Sequence, residues 1–258
     1  MTTSTARPGM GGQRARFAAT SETLRTLTAI AAAALLASCG GGEEPTLKQA
    51  PQDASMKKAQ RVFTPTGTIP ADAGTKGMWS PVVNWPLIAV HTALLPDGRL
   101  LTYGTKTNGQ QTGFFSYDVW DPQGGLDGGH LTLDNATGTD IFCSSQTLLP
   151  DGSGVFIAGG DNWTGSATTN TGNNNSNLFS NGNNTLARGP NMNRARWYSS
   201  SITLLNGDTY VQGGSGGTDF PEVRAANGTF RLLSSASTSG IDWQYPRNFV
   251  APDRKSVV

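Results

Sequence analysis

Histidine and cysteine each occur only twice in these 258 residues, and charged side chains make up only 14% of them, against roughly 25% in an ordinary globular domain. Two cysteines exclude a disulfide scaffold, and so few soft ligands exclude zinc-finger arrays. A formal net charge of +1 leaves no basic excess to neutralise phosphates, which excludes nucleic acid as a partner. The scarcity of Glu and Lys argues against long solvated surface helices. What is abundant is glycine, at 33 residues, nearly twice its usual share. The composition predicts strands and turns, in a chain long enough for one sizeable domain or two small ones.

The first 25 residues carry Arg7, Arg14, Arg16 and Arg25 against one acid, Glu22, and an apolar run from Leu27 to Leu36 follows, broken only by Thr28. A basic segment leading into a run this short is an export signal, not a stable bilayer span. The run ends in Leu36-Ala37-Ser38-Cys39 before Gly40-Gly41-Gly42, which resembles a bacterial lipobox. Residues 1–39 are therefore expected to be a lipoprotein signal peptide with Cys39 lipidated. An ordinary signal peptide with an incidental cysteine is the alternative. Lipidation predicts an exported, membrane-anchored protein, and Gly40 offers no acidic inner-membrane retention signal, which favours the outer membrane. Residues 40–76 show no periodicity and are expected to be a flexible linker.

Residues 77–258 are organised by a repeat. Leu94-Leu95-Pro96-Asp97-Gly98 leads into Arg99-Leu100-Leu101-Thr102-Tyr103-Gly104. Leu148-Leu149-Pro150-Asp151-Gly152 leads into Val155-Phe156-Ile157-Ala158-Gly159-Gly160, and Leu204-Leu205-Asn206-Gly207-Asp208 into Tyr210-Val211-Gln212-Gly213-Gly214. Each unit predicts a strand, a turn that needs positive φ, and a returning strand that closes on glycine. Aligned on their first leucines, the units recur at a period near 55 residues. Hairpins at this long, even spacing predict an all-β, kelch-type β-propeller, with about 3.3 units in residues 77–258, whereas a closed propeller has 4–8 blades. Asparagines crowd the stretch from Asn162 to Asn193, expected to be a mobile, loop-rich outer insertion of the second blade.

A fourth unit begins at Tyr245-Pro246-Arg247-Asn248-Phe249-Val250-Ala251-Pro252-Asp253, but Arg254 stands where the earlier turns place glycine. No strand is expected to pair back from that turn. The terminal Asp253-Arg254-Lys255-Ser256-Val257-Val258 also resembles a translated sequencing adapter. The chain is accordingly expected to be an N-terminal fragment of about three to four blades, truncated in the fourth.

Equivalent inner-strand positions in successive blades become neighbours around a propeller axis. Cys143, in Ile141-Phe142-Cys143-Ser144-Ser145, lies five residues before Leu148. Tyr198, in Arg196-Trp197-Tyr198-Ser199-Ser200, lies six before Leu204. Both are expected at one rim of adjacent blades, with Ala89 and Ile88 as their counterparts in the first unit. A sulfur bonded to the ring carbon ortho to a phenol hydroxyl makes the phenol easier to oxidise to a radical. On spacing alone, a buried apolar cysteine and a packed tyrosine is the favoured reading. His91, in Ala89-Val90-His91-Thr92, is expected to be structural or hydrogen-bonded, and His130, in Gly128-Gly129-His130-Leu131, to sit in a surface turn.

Asp140-Ile141-Phe142-Cys143 and Arg196-Trp197-Tyr198, each followed by small hydroxyl residues, together with Asp118-Val119-Trp120-Asp121-Pro122 and Gln244-Tyr245-Pro246, resemble the kelch-domain copper radical oxidases. This is the galactose oxidase and glyoxal oxidase family, seven-bladed, and the chain looks closer to its glyoxal oxidase branch. The resemblance covers about Trp79 to Asp253. It implies a thioether joining Cys143 to Tyr198, with Tyr198 as copper ligand and radical carrier. The implied reaction oxidises a small alcohol, aldehyde or carbohydrate and reduces O2 to H2O2. The two histidines and second tyrosine of the family's copper site match nothing in this chain, so the chain alone is expected to be inactive. The family's tryptophan over the thioether has no match either, because Gly213-Gly214-Ser215-Gly216 occupies that stretch. Arg247 is a candidate substrate contact at the same rim. The alternative is a non-enzymatic kelch module of the cell envelope that binds through its rim loops.

Overall fold

The computed structural model describes residues 68–251 and the backbone of Ser256 and Val257. The expected signal peptide, Cys39, most of the linker and Arg254 lie outside these residues. A short helix, α1 (Ala73–Lys76), comes first, steadied by an exposed Lys76–Asp72 ion pair of 2.9 Å. After it the described chain is strand and turn, apart from one 3-10 turn at Pro122–Gly124. Strands β1 (Ile88–Leu94), β2 (Leu100–Thr105), β3 (Ser116–Trp120) and β4 (His130–Asp134) form a four-stranded antiparallel meander. The second sheet takes β5 (Ser145–Leu148) and β6 (Gly154–Ala158). A small hairpin, β7 (Trp163–Thr164) and β8 (Ala167–Thr168), intervenes before β9 (Ser176–Ser180) and β10 (Thr185–Arg188) complete it. The third runs β11 (Trp197–Thr203), β12 (Thr209–Ser215), β13 (Glu222–Arg224) and β14 (Phe230–Leu232) in order. These are three consecutive blades of a partial β-propeller.

Turn chemistry closes each inner hairpin as the repeat predicts. Gly98, Gly152 and Gly207 have φ of 88°, 70° and 85°, a region open to glycine without steric cost. Their N–H groups donate to the carbonyls of Leu95, Leu149 and Leu204, each at 2.9 Å. That pattern aligns Leu204 with Leu149, not with Leu148, so the sequence alignment slips by one residue in the third unit. Side-chain bonds also join the inner strands of neighbouring blades. Thr147 Oγ1 donates to Ser201 O, Ser199 Oγ to Ser145 Oγ at 3.1 Å, and Gln146 Nε2 to Thr92 O at 2.7 Å, each across 54 residues.

The core lies between blades. All five residues of β6 are buried, because side chains that alternate across a strand here meet a neighbouring blade on each face. Val155 and Ile157 pack with Leu101, Tyr103, Tyr117 and Val119 of the first blade. Phe156 packs with Val211 and Phe230 of the third.

Two expectations are corrected. The asparagine-rich stretch does form the outer part of the second blade, but it is built into the sheet: β9 pairs with both β6 and β10. Asn173 is buried, and its Nδ2 donates to the carbonyls of Asp140 and Asp161. Asparagine amides supply hydrogen bonds that loop backbone lacks. At the other end, a strand does pair back after the fourth turn. β15 (Phe249–Val250) runs antiparallel to β16 (Ser256–Val257), with Phe249 opposite Val257 and Val250 opposite Ser256.

Candidate functional site

Three residues at or shortly before the start of inner strands share an uncommon backbone conformation. Cys143, Tyr198 and Tyr245 have φ of 58°, 67° and 47°, each six residues before the leucine, leucine or alanine that opens its turn. A non-glycine residue held there costs on the order of 1–3 kcal/mol, so the surroundings must enforce it. A relay of hydrogen bonds from blade to blade does so. Tyr245 N–H donates to Tyr198 O at 2.8 Å, Tyr198 N–H to Cys143 O at 2.8 Å, and Cys143 N–H to His91 Nε2 at 3.0 Å. Gly160 makes room for the relay: a Cβ there would stand 2.0 Å from the Asp140 carbonyl.

The three side chains meet. Cys143 is 4% exposed, and the hydroxyls of Tyr198 and Tyr245 both hydrogen-bond its thiol. The two phenol rings are 5.1 Å apart at 66°. Burial pushes the thiol above its ordinary range, against the pull of the two phenols. Tyr198 is pushed up to about 12, first by its hydrogen bond to Cys143 and then by burial. Tyr245 is raised further, chiefly by burial. All three are therefore protonated at neutral pH. Trp197 lies 4.3 Å from the Tyr198 ring at 32°, and Trp243 lies 6.3 Å away at 35°. Aromatic cover for Tyr198 thus comes from its chain neighbour and from the approach to the fourth unit, not from the glycine stretch at 213–216.

Buried networks hold the elements that carry these residues. Asp140, at the head of the Asp-Ile-Phe-Cys motif, accepts from Phe142 N–H at 2.9 Å and from the side chains of Gln111 and Trp163. Arg196, two residues before Tyr198, is fully buried. It donates to Glu222 Oε1 from Nε at 3.0 Å and from Nη2 at 2.9 Å, and to the carbonyls of Gly213, Gly217 and Phe220. Glu222 Oε2 accepts in turn from Asn193 N–H at 2.7 Å. The Arg196 and Glu222 charges are matched, as a buried pair requires, whereas Asp140 is held by neutral donors alone.

Cys143 and Tyr198, singled out in the sequence, are brought together. Their expected first-unit counterparts, Ala89 and Ile88, do not reach the cluster, and His91 occupies that place. It is hydrogen-bonded as expected, stacked 4.7 Å from the Tyr103 ring at 14°. Burial lowers its pKa to about 4, so it is neutral and Nε2 is free to accept. Arg247 is exposed and stands two residues after Tyr245. His130 is not in a surface turn. It opens β4, with Nδ1 2.8 Å from Oδ2 of the buried Asp118 and its ring edge-on to Trp85 at 4.3 Å. The strand pairing puts Trp120 opposite it, which draws the imidazole inward. Tyr245 is the member that sequence reasoning missed, although its offset from the fourth turn equals those of Cys143 and Tyr198.

Cu(II) prefers several nitrogen and oxygen donors in a tetragonal array. The cluster offers the phenol of Tyr198 and that of Tyr245 beside it. Of the chain's two imidazoles, His91 is committed to Cys143 N–H and His130 to Asp118. No group of three or more His, Cys, Asp or Glu suited to a metal stands among the described residues. Two phenols without an imidazole do not complete a copper site.

No protein-family profile matches the chain. Two galactose oxidase sequences of Gibberella zeae are 27% identical to it over 144 residues, 54% of this chain and 19% of theirs. The chain thus spans about a fifth of the length of the curated relatives it matches. Among solved structures, a fungal alcohol oxidase of the AA5 family in complex with copper aligns at 24% identity and a TM-score of 0.46. That alignment covers 60% of this chain and 32% of the other. Over those 144 residues the chain is similar to galactose oxidase.

Proposed function

We propose that this chain is part of an exported copper radical oxidase that oxidises a small alcohol, aldehyde or carbohydrate and passes two electrons to O2, giving H2O2. The observation that carries the reading is the Cys143 thiol held against the Tyr198 phenol from the adjacent blade. A cross-link there forms a bond between Cys143 Sγ and the ring carbon ortho to the Tyr198 hydroxyl. The S–H and ring C–H bonds are lost, and O2 takes up the two protons and two electrons as H2O2. Tyr198 would then be the radical carrier and one ligand of copper, and the bound copper would accept one of the substrate's two electrons while the tyrosyl radical accepts the other. Trp197 and Trp243 pack near its ring, and Arg247 is the candidate contact for a substrate group at the rim. The remaining copper ligands come from outside the described residues. Lipidation at Cys39 would anchor the protein to the outer membrane.

Intact mass tests this reading in the full-length parent protein, loaded with copper under air. The mass should fall by two hydrogens, and Cys143→Ser and Tyr198→Phe should each abolish the loss. An unchanged mass in the copper-loaded protein would overturn the oxidase reading and leave a kelch module that only binds.

A further inference from the structure

At the opposite end of the inner strands from Cys143, Arg224 on β13 is 7% exposed. Its guanidinium has no ion-pair or hydrogen-bond partner among the described residues, only the face of Phe156 at 5.2 Å. The other buried or half-buried arginines are matched. Arg196 is saturated, Arg99 reaches Asp97 and Asn181, and Arg194 pairs with Asp219. None of its nitrogens is among the fully enclosed polar atoms without a partner, so the guanidinium reaches solvent through the cavity it lines and is open to an anion. Burial without a compensating anion lowers the proton affinity of Arg224.

The guanidinium lines a cavity of about 320 Å³ between the turn after β5 and the turn after β13. Leu149, Pro150 and Ala226 give it apolar walls, and Asp151 and Ser153 lie at the polar side. Asp151 does not neutralise Arg224, since no ion pair joins them. Its Oδ1 is turned into its own loop, accepting from Ser153 N–H at 3.0 Å and Ser153 Oγ at 2.7 Å. Those bonds hold its carboxyl below the usual range, so the cavity keeps one cation and, near it, one fixed negative charge. That second charge disfavours a dianion.

We propose that Arg224 and this cavity form a binding site for a small monocarboxylate. The carboxylate takes the guanidinium fork, which matches it with two parallel N–H donors. The carbon skeleton lies against Leu149, Pro150 and Ala226. The site is separate from the Cys143–Tyr198 cluster and does not depend on how that cluster functions.

Calorimetric titration of the full chain with sodium lactate, against inorganic phosphate at matched ionic strength, tests it. Lactate should bind saturably and raise the unfolding midpoint. Arg224→Gln should weaken it at least about tenfold, and Asp151→Asn should strengthen phosphate binding. Absence of saturable lactate binding, equal affinity in Arg224→Gln, or phosphate binding tighter than lactate in the unaltered chain would each overturn the assignment. Should Arg224→Gln fail to fold, Ala226→Trp at the exposed rim keeps the cation and blocks the cavity. Loss of lactate binding there supports the site, and unchanged binding rejects it.

Discussion

Cys143 keeps its backbone in the left-handed region because its N–H has an acceptor waiting, and that acceptor is the imidazole of His91. The bond exists only while His91 is neutral. Burial holds its pKa near 4, below the ordinary 6.5, so the unfolded chain takes up the proton first as pH falls. The stabilisation is therefore complete above pH 6.5 and is lost progressively toward pH 4, by at most about 3 kcal/mol. Thermal unfolding across this window should show the midpoint of the unaltered chain falling more than that of His91→Gln. An identical pH dependence in the two would mean that His91 does not titrate as its burial dictates. The sequence pointed to a hydrogen-bonded His91 but not to its partner, since 52 residues separate the two atoms that meet.

Among the elements, β11 and β13 are locked by the Arg196–Glu222 pair, in which both side chains are fully buried. Removing one charge leaves the other in low dielectric, which costs about 3–5 kcal/mol, whereas replacing both with apolar groups of similar volume is far milder. Denaturant unfolding should accordingly show a large loss for Glu222→Gln and substantial recovery in Arg196→Met/Glu222→Leu. A loss under about 1 kcal/mol in the single variant would mean that water already reaches the pair. The motif Arg196-Trp197-Tyr198 was legible as a unit, but only Tyr198 was read as its purpose. Periodicity carries no sign that Arg196 finds its carboxylate across the sheet.

For the whole molecule, stability concentrates in the middle blade, where β6 is covered on both faces. Phe156 is fully buried among Ala158, Met192 and Val211 and lies beneath the Arg224 guanidinium. Phe156→Ala should cost about 3–5 kcal/mol by opening a void between blades. Hydrogen exchange should find the β6 amides the slowest in the chain, and the variant should speed them more than those of β3 or β4. Equal effects in all three strands would indicate that the blades unfold as one unit without a weaker interface. The second-blade asparagines belong to this scale as well. Their composition suggested mobility, yet β9 and the loop before it are held in the blade, with the amides of Asn173, Asn174 and Asn175 hydrogen-bonded.

The sequence by itself determined the hairpin repeat, because Asp-Gly and Asn-Gly turns and glycine-ended strands act through local backbone preferences. Through that repeat it also determined that Cys143 and Tyr198 come from adjacent blades. Only the tertiary structure decided the third member, Tyr245, the inward place of His130, the register of the third turn and the unpaired cation of Arg224. Those depend on which atoms face each other across blades. Side-chain chemistry far apart in the chain, not local propensity, settles such contacts.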